Sequence, residues 1–332
     1  MKFGETFMEY LHGEQESFLD KFSHVEYKRL KKVLKTCRSL HGSYGADEQE
    51  DENSDALSRL CRYESCPLCD KIFFSELMKE ASDIAGCFSS RVRHLLHLHI
   101  ATGMQRYVLL LRQCFKNDRQ TIAEEGRMLI DYVTMNAIAI RKILKKYDKV
   151  HSSVNGRDFK RKMQAKHIEL LQSPWLIELG AFYLNFNESD EEESCKISCQ
   201  FSCDLSTTEP VMTLRLPDSM KLECNLTCSI CLDTLFNPHA LSCGHLFCKS
   251  CACSAASVMI FQGLKAASPE SKCPICREAG VYSNAVEMLE LDLLLKRRCR
   301  EYWKERLIAE RAEMVKQAKD YWDSQTKYVI GY

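Results

Sequence analysis

Seven cysteines and one histidine near residue 250 constrain this chain more strongly than any other feature. They are spaced as C-x2-C, then C-x-H-x2-C-x2-C, then C-x2-C, and they are Cys228, Cys231, Cys243, His245, Cys248, Cys251, Cys273 and Cys276. Two tetrahedral zinc ions need eight such ligands. Because so short a segment buries little apolar surface, its folding is expected to depend on the metal. The sequence therefore predicts a zinc-stabilised domain over residues 223–281, with two Zn²⁺ ions as its cofactors.

The order of these ligands resembles that of the RING finger family, which has a small α+β fold. The resemblance implies cross-braced binding, in which the two zinc ions use alternate pairs of ligands. One ion would take Cys228, Cys231, Cys248 and Cys251, and the other Cys243, His245, Cys273 and Cys276. It also implies a RING-type E3 ubiquitin transferase, which binds a ubiquitin-conjugating enzyme (E2) and holds its ubiquitin thioester in a reactive geometry, without a covalent intermediate.

Three residues on the predicted metal loops favour ubiquitin transfer. Ile230 lies between the first two ligands and Pro274 between the last two, and in RING ligases the corresponding positions contact the E2. Arg277 follows the last ligand, where a basic residue is the family's catalytic linchpin because its guanidinium donates to both E2 and ubiquitin. One of three residues would complete the apolar groove: Val258, Ile260 or Phe261. The alternative is that these are loop fillers on a RING-like module used for assembly.

A basic helix predicted at Asn136–Lys149 is the second informative feature. On a helical wheel four lysines fall within about 100° of one another, opposite an apolar face; they are Lys142, Lys145, Lys146 and Lys149. Four like charges repel one another unless an anion relieves them, although a solvated face is the simpler interpretation. A second basic stretch offers Tyr27 and Lys31 one turn apart. If the two helices are neighbours, these side chains could enclose a polyanion.

Three segments of the N-terminal half resemble the conserved blocks of SPX domains: MKFGETFMEYL at the start, YKRLKK near residue 30 and KILKKYDK near residue 145. The resemblance implies a helical domain with a long core hairpin over residues 1–165, which senses inositol polyphosphates and pyrophosphates. It implies a phosphate-binding cluster of Tyr27, Lys31 and Lys146. The surrounding lysine surface would be Lys142, Lys145 and Lys149, with Lys2 as a further contributor.

An SPX domain followed by a C-terminal RING resembles the plant NITROGEN LIMITATION ADAPTATION family of ubiquitin ligases. The resemblance implies that an E2, ubiquitin and an inositol polyphosphate are partners. It also implies that plasma-membrane phosphate transporters are substrates, in phosphate homeostasis. The expected location is intracellular, in the cytoplasm and at the plasma-membrane periphery, with the nucleus as a further compartment.

The rest of the chain predicts a mainly α protein. Acidic stretches at 47–55 and 188–193 indicate solvated loops. Between the two domains, residues 166–222 are predicted to be a linker with a short helix and strands, and residues 287–327 to be a C-terminal helix. Apolar residues near a 3.5-residue spacing in that helix fit packing on the RING, with a homodimer as the alternative. Cys66 and Cys69, followed by His94, His97 and His99, leave a third zinc site open.

Composition excludes several classes of protein. The chain has 46 basic and 46 acidic residues, so nothing in its overall charge favours nucleic acid. The longest apolar runs have about five residues, far fewer than a membrane span requires. The N-terminus has no extended apolar core of the kind found in secretory signals. The 19 cysteines then fit zinc ligands and free thiols in a reducing compartment, rather than disulfides.

Overall fold

A computed structural model describes most of the chain and divides it into two compact units, Met1–Ser173 and Pro174–Tyr332. The described residues are 3–13, 19, 22–42, 67–96, 116–151, 154–165, 168–187, 201–205, 210–215 and 221–330. The acidic stretches at 47–55 and 188–193 lie outside these ranges. Among the helices described, none is both long and apolar enough to cross a membrane.

The first unit is helical. Its helices are α1 (Phe3–Leu11), α2 (Tyr27–Gly42), α3 (Pro67–Leu95), α4 (Lys116–His151) and α5 (Asn155–Ala165), followed by a 3-10 turn at Leu170–Gln172. No proline occurs between residues 68 and 173, so neither α3 nor α4 has a proline in its interior. Apolar residues recur on one face of α3, and these side chains are fully buried: Phe73, Leu77, Ala81, Ile84, Phe88 and Val92.

Helices α3 and α4 form an antiparallel hairpin. Near the start of α3, the ring of Phe73 lies 4.8 Å from that of Tyr147, late in α4. Near the end of α3, Arg91 forms an ion pair with Glu125, early in α4. The contacts therefore run in opposite directions along the two helices. The predicted mainly α fold is confirmed for the residues described, and it includes the long hairpin.

The segment that enters α2 is fixed to this hairpin by buried polar contacts. The backbone N–H of Val25 donates to Asn136 Oδ1 at 2.9 Å, and the Asn136 amide donates to the Tyr132 carbonyl at 2.9 Å. The Tyr132 hydroxyl donates to the carbonyl of Ser23. Because buried polar groups need partners, these bonds hold the chain in one register on α4. They place Tyr27, the first residue of α2, two residues beyond an anchored position.

The second unit begins with helix α6 (Pro174–Asn187) and an antiparallel sheet in the order β1–β2–β3. The strands are β1 (Phe201–Asp204), β2 (Val211–Arg215) and β3 (Lys221–Asn225). Gly180 allows α6 to approach the sheet, since a Cβ there would lie 2.5 Å from Phe201 Cε1. The predicted linker is therefore divided between the units: residues 168–173 end the first unit, whereas from Pro174 onward its described part contains a helix, two strands and the start of a third, in the same unit as the metal-ligand segment.

The metal-ligand segment contains a second small sheet, in the order β5–β4–β6, and one short helix. The elements are β4 (Pro238–Ala240), β5 (Leu246–Cys248), α7 (Lys249–Ala255), a 3-10 turn at Leu264–Ala266 and β6 (Val286–Glu287). Strand β4 pairs with both neighbours in antiparallel register, with His239 opposite Phe247 on one side and Glu287 on the other. This α+β core brings distant ligands together.

The C-terminal segment differs from the single helix predicted over 287–327. It forms α8 (Leu289–Arg298) and α9 (Arg300–Ile330), separated at Cys299, whose φ of −118° and ψ of 53° are not helical. The break lets α9 fold back on α8: the Trp303 indole N–H donates to Asp292 Oδ1 at 3.1 Å, and Lys296 Nζ lies 4.6 Å from the Trp303 ring centroid. A periodic pattern does not reveal such a break, because both helices keep their apolar spacing.

Helix α6 is joined to α8 by a buried carboxyl group. Glu178 Oε1 accepts the N–H of Glu290 at 2.7 Å, and Oε2 accepts that of Leu291 at 3.2 Å. These are free N–H groups at the start of α8, so Glu178 caps that helix from a distant part of the chain. Burial raises the pKa of Glu178 to about 8, with the nearby Glu290 carboxylate as the next cause.

Candidate functional site

The structure brings the eight ligands into two groups. Within each group, the potential ligand atoms lie within 4.8 Å of one another; the groups are Cys228, Cys231, Cys248, Cys251 and Cys243, His245, Cys273, Cys276. These are the two sets that the RING resemblance implied. In the second group Nδ1 of His245 faces the thiols, 3.4 Å from Cys243 Sγ and 3.7 Å from Cys273 Sγ. The two C-x2-C pairs at the ends of the segment thus serve different groups.

The two end pairs have the same local fold. After Cys228, the N–H of Leu232 bonds to the Cys228 carbonyl at 2.8 Å, and after Cys273 the N–H of Arg277 bonds to the Cys273 carbonyl at 2.9 Å. Leu232 and Arg277 both have positive φ, 62° and 60°. A side chain disfavours this left-handed conformation. Each pair therefore closes a strained loop, which we call the first and second zinc knuckles (228–232 and 273–277).

The donor sets fit zinc. Four thiols this close cannot all ionise without a cation. Hydrogen bonds from Cys248 and Cys251 hold the pKa of Cys228 far below its usual range, whereas the contacts of Cys248 with Cys228 and Cys251 raise the pKa of Cys248. A soft divalent ion relieves this conflict, and four S or N donors per group match tetrahedral Zn²⁺. The prediction of two zinc ions is confirmed. Bound zinc supplies a rigid scaffold for the knuckles.

The residues predicted to contact the E2 lie on the surface of the knuckles. Ile230 on the first is 39 % exposed, and Pro274 and Arg277 on the second are exposed. The structure adds two apolar residues that the sequence reasoning did not single out, Leu232 and Ile275, which are 77 % and 49 % exposed. Their positions directly beside ligands were the available signal. Each knuckle therefore presents apolar surface to solvent.

The three residues considered for completing the apolar groove differ in burial. Ile260 is buried, and its N–H donates to Gln317 Oε1 of α9 at 3.0 Å. Phe261 is partly exposed and makes an edge contact with Tyr321, with ring centroids 5.8 Å apart. Val258 is half-buried. This loop therefore packs against α9 through Ile260 and Phe261, and parts of Val258 and Phe261 remain open to solvent.

Helix α9 also contacts the first knuckle. Arg306 Nη2 lies 3.9 Å from Cys231 Sγ, and Nη1 lies 3.6 Å from Asp233 Oδ2. The Tyr302 hydroxyl donates to the Thr234 carbonyl at 2.6 Å. A guanidinium beside a metal-bound thiolate acts as a charged outer partner of the zinc site. Sequence reasoning missed Arg306, because it lies 75 residues from Cys231 and belongs to no motif.

In the first unit, α1, α2 and α4 converge at Phe3. Its ring lies 5.4 Å from that of Tyr27, in an edge contact, and 4.4 Å from Lys142 Nζ. Gly4 permits this approach, since a Cβ there would lie 3.3 Å from Tyr27 Cε1. Burial raises the pKa of Tyr27, so its hydroxyl stays protonated and able to donate. Two residues predicted to bind phosphate, from different helices, thus flank one ring.

Four of the other predicted phosphate ligands lie on helices α2 and α4. Lys145 and Lys149 are exposed on α4, whereas Lys31 on α2 and Lys146 on α4 are half-buried. Helices α2 and α4 pack directly on each other. The remaining predicted phosphate ligand, Lys2, lies outside the described residues.

Most residues of the third zinc site considered from the sequence also lie outside the described residues: Cys66, His97, His99 and the side chain of Cys69. That site stays open.

Comparisons with known proteins agree with the geometry of the second unit. A family model described as a RING-type zinc-finger matches residues 228–269. A probable E3 ubiquitin-protein ligase, BAH1-like, of Arabidopsis thaliana is 62 % identical over 338 residues, and BAH1-like 1 of Oryza sativa subsp. japonica is 60 % identical over 339. The E3 ubiquitin-protein ligase NLA of Arabidopsis thaliana is 45 % identical over 344 residues. All three alignments cover 100 % of both chains. No solved structure matches.

Proposed function

We propose that this chain, which belongs to the family of plant E3 ubiquitin-protein ligases that includes the BAH1-like and NLA proteins, couples ubiquitin transfer to the binding of an inositol polyphosphate. The first half of this statement rests on the family: the chain is a RING-type E3 ubiquitin transferase, with an E2 and ubiquitin as its partners. The second half rests on the meeting of Tyr27 and Lys142 at Phe3.

The proposed transfer step needs no nucleophile on this chain. Ile230 and Pro274 would supply apolar contacts to the E2, one from each knuckle. Arg277 would then donate to the E2 and to ubiquitin together, so that the thioester is held in position for attack by a substrate lysine. The exposure of all three residues on loops held by metal ligands supports these roles. An exposed arginine is available for such bonds because no packing role occupies it.

The test is a reconstituted reaction with ubiquitin, an activating enzyme and a panel of E2 enzymes. Zinc-dependent ubiquitin chains with at least one E2 are expected. Arg277→Ala should slow discharge of the ubiquitin-charged E2 in the absence of substrate, whereas Lys265→Ala, a change of another exposed cation in the same domain, should not. If Ile230→Ala and Arg277→Ala leave transfer unchanged, the non-catalytic adaptor interpretation replaces the proposed roles.

The proposed sensor is the surface of α1, α2 and α4 around Phe3. Lys142, Lys145 and Lys146 bring three ammonium groups to consecutive turns of one helix, and Lys31 adds a fourth from α2. Several phosphates on one ring can satisfy charges from two helices at once, which a single phosphate cannot. The Tyr27 hydroxyl would add a directed hydrogen bond. A ligand that binds the folded unit and not the unfolded chain should also stabilise the unit.

Calorimetry with inositol hexakisphosphate tests this site. We expect the triple change of Lys142, Lys145 and Lys146 to alanine to weaken binding at least tenfold, and Tyr27→Phe to weaken it less. A matched control changes Lys71 and Lys79 to alanine; both are exposed on α3, outside the proposed site. Equal affinity of the triple variant and the control would rule the site out. Binding should also weaken with salt, because it depends on charge.

The proposed substrates are plasma-membrane phosphate transporters, in keeping with the SPX and RING resemblance. Such substrates would place the ligase at the cytoplasmic side of the plasma membrane and its activity in phosphate homeostasis. Ubiquitination of a transporter in detergent, with and without inositol hexakisphosphate, tests the link between the two halves of the proposal. Transporter ubiquitination that does not respond to the ligand in the wild type would contradict the coupling, while leaving the ligase activity standing.

A further inference from the structure

Helix α9 presents two different faces. One face packs within its own unit: Trp303 on Phe236 with ring centroids 5.5 Å apart, and Tyr321 on Phe261 at 5.8 Å. The other face carries four large apolar residues that are mostly open to solvent. They are Ile308, Val315, Trp322 and Val329, and their exposed fractions are 70, 65, 63 and 81 %. We call these four residues the heptad stripe.

The spacing of the stripe is regular. Each member follows the previous one by seven residues, and on a helix this repeat places them along one line. On a wheel the centre of the stripe lies about 110–150° from Trp303, Glu310 and Gln317, which face the RING. Scattered apolar residues on a surface need no explanation, but four large apolar residues at a fixed seven-residue spacing along one line of a helix indicate a partner. The partner would meet α9 without displacing the packed face.

We propose that the heptad stripe is the docking site for the same stripe of a second copy of this chain, in antiparallel orientation. The proposal goes beyond the proposed function and does not depend on it. A stripe of Ile, Val and Trp can pack against a copy of itself, because both surfaces are apolar. Two copies would bury on the order of 1,000 Å² between them, which reaches the lower range of specific interfaces.

The orientation follows from two charged residues on the edge of the stripe. Glu305 and Lys319 lie seven residues before and after Ala312, on the side of the helix next to the stripe. In a parallel, in-register pair each would face its own copy, and like charges in contact are unfavourable. An antiparallel pair with Ala312 opposite Val315 of the second copy brings Glu305 within about one turn of Lys319 of that copy. The small Ala312 lets the helices approach at the centre.

Analytical ultracentrifugation of the full zinc-loaded chain tests the interface. The wild type is expected to dimerise, and Val315→Glu with Trp322→Glu should raise the dissociation constant at least a hundredfold. Both positions are exposed and glutamate favours helices, so the fold should survive, which circular dichroism checks. Ser324→Glu, exposed on α9 outside the stripe, is the matched control. A monomeric wild type at 100 µM protein, or a dimer that the double variant leaves intact, would overturn the proposal.

A charge swap tests the orientation. Lys319→Glu should weaken the antiparallel dimer, because it places two carboxylates together, and adding Glu305→Lys in the same chain should restore it. A parallel dimer predicts a different result: Lys319→Glu only replaces one like-charge pair by another, and the second change brings no recovery. Failure of the double variant to recover would therefore refute the antiparallel arrangement.

Discussion

Replacing Arg306 by methionine should loosen zinc at the first knuckle. Four thiolates and one Zn²⁺ carry a formal charge of −2, so each sulfur holds about half a negative charge. With an effective dielectric constant of about 20, a guanidinium 3.9 Å from Cys231 Sγ gains about 2 kcal/mol from that sulfur alone. The Asp233 pair is half exposed and adds less. A loss of about 1–2 kcal/mol corresponds to zinc affinity lower by about five- to thirtyfold, which overlaps the range expected for an outer partner of a metal site.

The measurement is zinc release to a chromophoric chelator, followed by the absorbance of its complex. Wild-type protein should release two zinc ions per chain, and Arg306→Met should accelerate one of the two phases. Methionine keeps the apolar stem against Phe236, whose ring centroid lies 6.0 Å from the guanidinium carbon. Arg306→Lys should recover part of the loss because it keeps the charge. Arg311→Met, an exposed change five residues further along α9, is the control. Equal release rates for Arg306→Met and Arg311→Met would refute the reasoning.

Three further outcomes are expected. Arg277→Gly should stabilise the domain by about 1 kcal/mol, because glycine tolerates the φ of 60°. The same change should slow ubiquitin transfer. Unchanged thermal stability would argue against strain at the second knuckle. Gly156→Ala should destabilise the first unit by about 1–3 kcal/mol in denaturant unfolding, since its Cβ would lie 2.7 Å from Asp148 Oδ1, whereas Gly86→Ala, with open space, should not. The pKa of Glu178 is raised to about 8 in the folded chain. The stability that its protonated form contributes is therefore fully present below pH 4.5 and is lost as pH rises through 8. Glu178→Gln should flatten the dependence of the melting temperature on pH in that range.

The zinc site could be predicted from sequence because it depends on a fixed number of ligands and on their local spacing. Tetrahedral coordination requires four donors per ion, and pairs such as Cys228 and Cys231 reach one ion only at short spacing. The helical half could be predicted for a related reason: a one-sided apolar pattern with no proline leaves few alternatives to helices. Neither argument needs knowledge of how distant segments pack, and both were confirmed at the level of fold class and cofactor.

The outer partners of the site could not be predicted, because they depend on tertiary contacts. Arg306 reaches Cys231 only after the chain breaks at Cys299 and α9 turns back along the zinc domain. The sequence also did not distinguish the two faces of α9. The 3.5-residue spacing that includes Trp303 and Tyr321 predicted a face packed on the RING, whereas the heptad stripe lies on another face. Only the exposed fractions of these side chains distinguish the two faces.

The unit that carries the RING is larger than the zinc pattern suggests, and Glu178 explains why. Its carboxyl group accepts the N–H groups of Glu290 and Leu291, so α6 caps the N-terminal end of α8. Helix α8 in turn buries Leu291 and Leu294, and it leads into the helix that contacts the first knuckle. A fragment limited to residues 223–281 loses all of these contacts, although it keeps every zinc ligand. Residues 174–332 are therefore the natural fragment in which to measure zinc binding and E2 contact, since the support of the first knuckle lies on both sides of the metal ligands.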